Sequence, residues 1–470
     1  MNKLGDRAGK LGDVTALSTC VILFGLALTY VFLPSDTAEE VFTFAAIGVG
    51  LALVVAVVIE GTRGIRTLIR VDILALGALY GLTFLEFLFP QPGVNAMSSA
   101  AAVDGTNAVL LGFAALAIGR HLIPKRASSR VHLASLDLRP RNALLLFALA
   151  TLLGYFHILL AVDFDPFEAL RQMTLPRFWQ SWSRGRYGDA AALLYELGAV
   201  IYLIPPTAGL IFARAQEYTL TQKVIVSIVV AVTFFYGFAS GTRNVFVTYV
   251  ITFAGAYMLA KPKFNLRQAL LLGVPAAAIL FVGTNYMLAF RGVGFSKFSE
   301  AGNNYSDFFI DYNIVNVSRL TEVFPNSFDY LGFEIPYNAL IRPIPRVLWP
   351  SKPEGLSVTV ETAVGASGDV TLTCTFIGEA YMAGGLLAVL LMGACFGAAA
   401  ELWNRLGRNS SQFMQLLYAS GFLPAALGMR SMLSVVPFML PTLALWVFGK
   451  FWLARSSLRH SRGAVNRNKL

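Results

Sequence analysis

The sequence predicts an all-α polytopic membrane protein of about twelve transmembrane helices, on three observations. Of its 470 residues 56% are hydrophobic and only 14% are charged, far more apolar residue than a soluble core needs. Apolar stretches of the roughly 20 residues that span about 30 Å of hydrocarbon recur along the chain. Lys and Arg gather in alternate links between those stretches, as the positive-inside bias requires. A transmembrane barrel fits poorly, because its strands alternate apolar and polar residues and these runs do not.

The first stretch, 15–33, follows "MNKLGDRAGKLGD" with no small-residue cleavage site, so it reads as a retained helix. The second, 41–59, follows the acidic "PSDTAEE". The third, 72–90, lies between a basic link and the uncharged "PQPGVNAMS". Then come 99–119, 142–162, 191–213, 224–240, 243–260 and 268–290, and after a long gap 375–400, 413–429 and 431–453. The chain therefore divides into spans one to nine (1–290), a large outer loop (291–373) and three last spans with a basic tail (374–470). Cys20, Cys374 and Cys395 are scattered and suggest neither metal site nor disulfide framework.

With the N-terminus inside, segments 1–14, 60–71, 120–141, 214–223, 261–267, 401–412 and 450–470 are cytoplasmic. They hold 25 of the 37 Lys and Arg, and both termini fall on that side. The formal charge of +10 is then topological. Its counterpart is membrane lipid rather than nucleic acid.

Three arginines break the bias. Arg243 sits at the tip "SGTRN", Arg430 in "LGMRSML" and Arg291 in "LAFRGVG", each at an outer rim. An ionisable group near membrane depth costs several kcal/mol unless paired, and often marks a substrate path. Snorkelling or an ion pair explains any one of them; three together predict an anion site. Segment 163–190 reads as an outer amphipathic helix, with Phe167, Leu170 and Met173 at helical spacing and Trp179 and Trp182 at the interface. Its "DFD" (Asp163, Asp165) has the form of a metal-bridging pair, but a lone DxD is common. In 291–373, aromatics with Asn303, Asn304, Asn313 and Asn316 suit sugar rings, or else a folded cap. Prolines in "RPIPRVLWPSKP" predict an extended stretch displaying Arg342, Arg346 and Lys352 to phosphate.

"RPIPRVLWPSKP" followed by "GEAYMAGG", with the hairpin "SGTRN", resembles bacterial oligosaccharide repeat-unit polymerases, the Wzy-type O-antigen polymerases. The motif likeness covers 240–245 and about 336–385; Ala383 stands where the family often has Asn. The resemblance implies a C-type glycosyltransferase (GT-C) fold in the bacterial inner membrane. It also implies an undecaprenyl-pyrophosphate-linked oligosaccharide as substrate at the periplasmic face, and a chain-length regulator as a further partner. Departure of undecaprenyl pyrophosphate needs preorganised cations, for which Arg243, Arg291, Arg342, Arg346, Lys352 and Arg430 are the candidates, in place of a metal or other cofactor. Glu379 and then His157 are the candidate general bases for the acceptor hydroxyl. An O-antigen ligase, or a transporter or flippase of lipid-linked glycan, is the alternative. Glu196, in "LLYELGA", is the main intramembrane acid that a transporter would use.

Overall fold

The fold was obtained as a computed structural model describing residues 2–124, 138–182, 197–261, 265–295, 311–366, 372–407 and 411–467. Those residues form helices and no strand. The helices are α1 (Asn2–Val31), α2 (Ala38–Gly61), α3 (Val71–Thr83), α4 (Ser99–Gly119), α5 (Pro140–Ala161), α6 (Pro166–Met173) and α7 (Ile204–Ala213). Next come α8 (Leu220–Ala239), α9 (Arg243–Ala260), α10 (Leu266–Val293), α11 (Asn313–Val323), α12 (Glu334–Ile341) and the single turn α13 (Val360–Ala363). The last are α14 (Thr375–Leu406), α15 (Gln412–Ser420), α16 (Phe422–Arg430) and α17 (Val435–Arg467). Seven of the described segments are long and apolar enough to cross a membrane: α2, α4, α5, α8, α14, residues 14–31 of α1, and 432–452 at the start of α17. The chain is a membrane-embedded helical protein.

The limits of α4 and α9 are those the sequence predicts, 99–119 and 243–260. The stretch 72–90 is not one helix. α3 stops at Thr83 and a 3-10 turn follows at Leu85–Leu88. Phe84 and Phe87 are fully buried there, against Phe113 and Phe42, and the bend that seats them overrides helical continuity. The stretch 191–213 is described from 197. It runs as a 3-10 turn, Gly198–Leu203, into α7, whose first turn holds Pro205 and Pro206. Glu196 lies outside the described residues.

α4 and α14 meet backbone to backbone. A Cβ on Gly119 would lie 2.3 Å from the Ala394 carbonyl oxygen, and one on Gly397 2.2 Å from that of Leu116. Small residues permit such approach between membrane helices. α14 is not the single span that 375–400 predicts, because Gly384 and Gly385 leave helical geometry. Ile377 before the pair and Val389 after it both abut Gly112 of α4. Twelve residues of continuous helix would separate them by about 18 Å, so the chain folds back at the pair. Gly385 has φ +63, a conformation side chains disfavour. The reversal exposes the Met382 and Ala383 carbonyls, which accept from the backbone N–H groups of Leu331 (2.8 Å) and Gly332 (2.9 Å).

Segment 291–373 is drawn into the same core. Ile314, Val317 and Leu320 of α11 are fully buried, and Ser318 lies against Gly105 of α4. Asn313 Nδ2 donates to the Leu82 carbonyl (2.9 Å), Asn316 Nδ2 to the Thr373 carbonyl (2.8 Å), and Asn313 Oδ1 accepts from the Thr373 hydroxyl (2.6 Å). These two amides tie chain to chain and are not available to a sugar. Asn303 and Asn304 lie outside the described residues.

At the opposite end of the bundle, Arg120 and Asp72 pair at 3.1 Å, both almost fully buried. Arg70 joins Asp72 (3.0 Å), Glu60 (3.7 Å) and Glu401 (3.6 Å). Arg120 donates to Ser18 (2.8 Å), Ser18 to Glu60 (2.8 Å) and Asn404 to Asp72 (2.6 Å). Burial works against the charge on Arg70, but the carboxylates of Asp72, Glu60 and Glu401 outweigh it and raise its pKa above the ordinary value. This network fastens the ends of α1, α2, α3, α4 and α14. Arg120→Met should destabilise the protein by about 3–5 kcal/mol, because it strands buried carboxylates. Arg171→Ala, which breaks an exposed pair with Glu168, should leave the thermal midpoint close to that of the wild type. Thermal midpoints of the detergent-solubilised proteins measure both.

Candidate functional site

The end of the bundle that carries segment 311–366 also gathers the arginines, beginning at the tip between α8 and α9. Ser240 donates to the Gly237 carbonyl (2.7 Å) and accepts from the Thr242 N–H (3.2 Å). Between them Gly241 has φ +63, and its missing side chain leaves room for Arg291, whose Cβ would lie 2.4 Å from a Cβ at 241. Arg243 opens α9 one step on.

The segment after α5 straps this tip. Asp163 and Phe164 turn with positive φ. Asp165 then caps α6, accepting from the N–H groups of Phe167 (2.8 Å) and Glu168 (3.2 Å), ahead of Pro166. One of the two "DFD" carboxylates thus caps a helix. Among the described residues no three His, Cys, Asp or Glu cluster as metal ligands. The amphipathic reading of this segment divides. Phe167 is 81% and Trp179 72% exposed, whereas Met173 and Trp182 are buried against Ile158 and Val162. Trp182 is therefore a core residue, because the strap folds back onto α5. Residues 183–190 lie outside the described residues.

Beyond α6 the Phe295 N–H donates to the Thr174 carbonyl (2.8 Å) and fixes the strap to the end of α10. Arg177 donates to the Thr242 hydroxyl (3.1 Å), and the Arg291 guanidinium lies 5.3 Å from the centre of the Phe178 ring. Arg430 ends α16 and pairs with Asp311 at 3.4 Å, each side chain about a third exposed. Its buried Nε has no hydrogen-bond partner among the described residues. Asp311 also acts electrostatically on Arg243 and Arg291, Glu86 acts on Arg243, and Arg177 and Arg430 repel Arg291. Four guanidinium groups from four separate elements thus face two carboxylates. The surplus is positive, and the fold holds it in place at the rim of the bundle.

Glu379 is buried one step from this cluster. Its carboxylate accepts from the Ser431 hydroxyl (2.6 Å) and from the N–H groups of Met432 and Leu433 (3.1 Å for the latter). It clamps Ser431 and the 3-10 turn Met432–Ser434 that follow Arg430 and so positions that arginine. Arg342, at the end of α12, acts on Glu379 through its charge. The proline-rich stretch is not extended. Trp349 N–H donates to the Pro345 carbonyl (3.2 Å), and Lys352 Nζ to the carbonyls of Arg342 and Ile344 (2.9 Å each), closing successive turns. Arg346 reaches the Pro353 carbonyl at 3.4 Å. Lys352 is therefore a brace of the turn, as proline's bends leave carbonyls that need donors. His157 stands apart. Its ring packs on Gly198, where a Cβ would lie 2.6 Å from Cε1.

The structure brings Arg243, Arg291 and Arg430 together and adds Arg177, Asp311 and Glu86, which sequence reading did not select. Glu86 had a signal, a carboxylate within an apolar run. Asp311 and Arg177 had none, since only tertiary contact sets their place. Glu379→Ala should cost about 1–3 kcal/mol for each buried N–H left without an acceptor. Glu379→Gln, which keeps one acceptor oxygen, should cost less; the drop in thermal midpoint orders the two.

No curated protein and no solved structure matches the chain. Residues 106–407 match the family described as Domain of unknown function (DUF8712). The match includes the seam of α4 and α14, the arginine tip, the strap and Glu379, and stops short of Arg430 and residues 431–433; the chain belongs to this family.

Proposed function

We propose that the protein is a glycosyltransferase of the bacterial inner membrane. It polymerises undecaprenyl-pyrophosphate-linked oligosaccharide repeat units at the periplasmic face and releases undecaprenyl pyrophosphate. The observation that carries this reading is the convergence of Arg177, Arg243, Arg291 and Arg430 on one rim, where Asp311 and Glu86 are counter-charges. A departing pyrophosphate develops negative charge on its bridging oxygen, and fixed guanidinium groups stabilise it without reorganising. Their planar forks match phosphate oxygens two at a time. Asp311 holds Arg430 until a phosphate replaces it. Glu379 acts by positioning, through Ser431, while Arg342 stands between the clamp and the surface. Counting α3, α7, α9, α10 and the α15–α16 pair as further passes gives twelve in all, and the charge distribution supports cytoplasmic termini.

The fold-back of α14 favours one second reading. Discontinuous helices also form the sites of transporters, so a flippase of the same lipid-linked glycan would use the same arginines without making a bond. An assay on purified full-length protein with a lipid-linked repeat unit separates the two, since only a transferase yields a ladder of longer glycans. Arg243→Lys should keep expression and insertion yet lower polymerisation roughly ten- to hundredfold, for a lost charge-assisted contact of about 1.5–3 kcal/mol. Wild-type activity should survive excess EDTA. An unchanged ladder in both Arg243→Lys and Arg243→Ala would overturn the anion-site reading, and loss on chelation restored by magnesium would replace it with a metal site. Orientation is tested by labelling Asn326→Cys in intact spheroplasts, where reaction with an impermeant maleimide is expected.

A further inference from the structure

α12 is apolar on two faces. Ile335, Ala339 and Ile341 are buried in the core, and α12 packs on α14, on Met432–Ser434 and on the start of α17. The other face is open. Phe333 is 90%, Leu340 67% and Leu348 68% exposed, with Tyr337 and Ile344 between them. No charge lies on that stripe. The carboxylate of Glu334 is turned away to the N–H and hydroxyl of Ser357, and the Asn338 amide donates to the Glu334 carbonyl (2.9 Å). Patches of this kind on a helix mark an interface rather than a wetted surface.

We propose that this face lies in the lipid leaflet at the loop-bearing end of the bundle, with Arg342 and Arg346 at the level of the lipid phosphates. Three observations single out lipid as the occupant. α12 packs on α17, whose Leu443, Trp446 and Val447 are exposed within a segment apolar enough to cross a membrane, so the helix that carries the stripe docks on a candidate membrane span. The carbonyls freed by the proline turns are satisfied from within, Arg342 and Ile344 by Lys352 and Pro353 by Arg346. Backbone that enters a bilayer needs such internal partners. Arg342 and Arg346 alternate with Ile344 and Leu348 in the last part of the stripe, and cations beside an apolar face are how interfacial segments pair with headgroups. The inference stands apart from the transferase reading and does not depend on the chemistry of the arginine site.

The test uses the full chain in nanodiscs, with Cys20→Ala and Cys395→Ala and a bimane on Leu340→Cys or, separately, Leu348→Cys. The control is Asn326→Cys, at an exposed position away from the stripe. Phospholipids carrying a nitroxide near the headgroup should quench the bimane at both stripe positions and leave that at 326 bright. Quenching should deepen when phosphatidylglycerol replaces phosphatidylcholine. Quenching at 340 and 348 no greater than at 326 would overturn the proposal. So would positions that are shielded from a soluble maleimide in cells yet unquenched in nanodiscs, which would assign the face to a protein partner.

Discussion

The contact on which the rest depends is the approach of α4 to α14 through glycine. Because Gly119 and Gly397 bring backbone against backbone, the two helices can be packed without the spacing that side chains would impose. That closeness leaves room at Gly112 for both limbs of the α14 reversal. The reversal in turn buries Glu379 beside residues 431–433 and provides the carbonyls that hold Leu331 and Gly332. In lipid, where association gains little from the hydrophobic effect, dispersion contacts between close backbones are a main source of cohesion.

The arginine cluster is built by a different logic. Each guanidinium comes from a helix end or a strap, where the chain can leave helical geometry without stranding polar groups in hydrocarbon. Gly241 admits Arg291, Thr242 receives Arg177, and Asp311 is placed by the buried start of α11. Like charges at such proximity repel, and the cluster persists because rigid elements hold it there. An anion placed among them would relieve that repulsion.

Much of the fold was legible in the sequence, because apolar length and basic links are local properties. α4 and α9 have the limits their hydropathy sets. The reversal at Gly384 and Gly385 was not, since the pair sits in an unbroken apolar run and only the joint contact of Ile377 and Val389 with Gly112 shows it. The buried network of Arg70, Asp72 and Arg120 was hidden for a related reason. Positive charge at a helix end fits the topological rule, so nothing local says that it is also an interior ion pair. At the site, three of the four clustered arginines stood out by breaking that rule. Arg177 and Asp311 lie in long links where charge is ordinary, and their roles come from contacts across about 65 residues or more in sequence.

The ion network at one end has a mechanical corollary. Five helices share buried charges there, and sliding any of them would expose an uncompensated ion to low dielectric. At the other end the links of Arg177, Arg291 and Arg430 to their neighbours are a single hydrogen bond, a ring contact and an ion pair about a third exposed, each weaker than a buried ion network. Compliance is therefore unequal along the bundle: the five helices of the ion network move only together, while the arginine side chains at the other end can shift at the cost of one weak contact each.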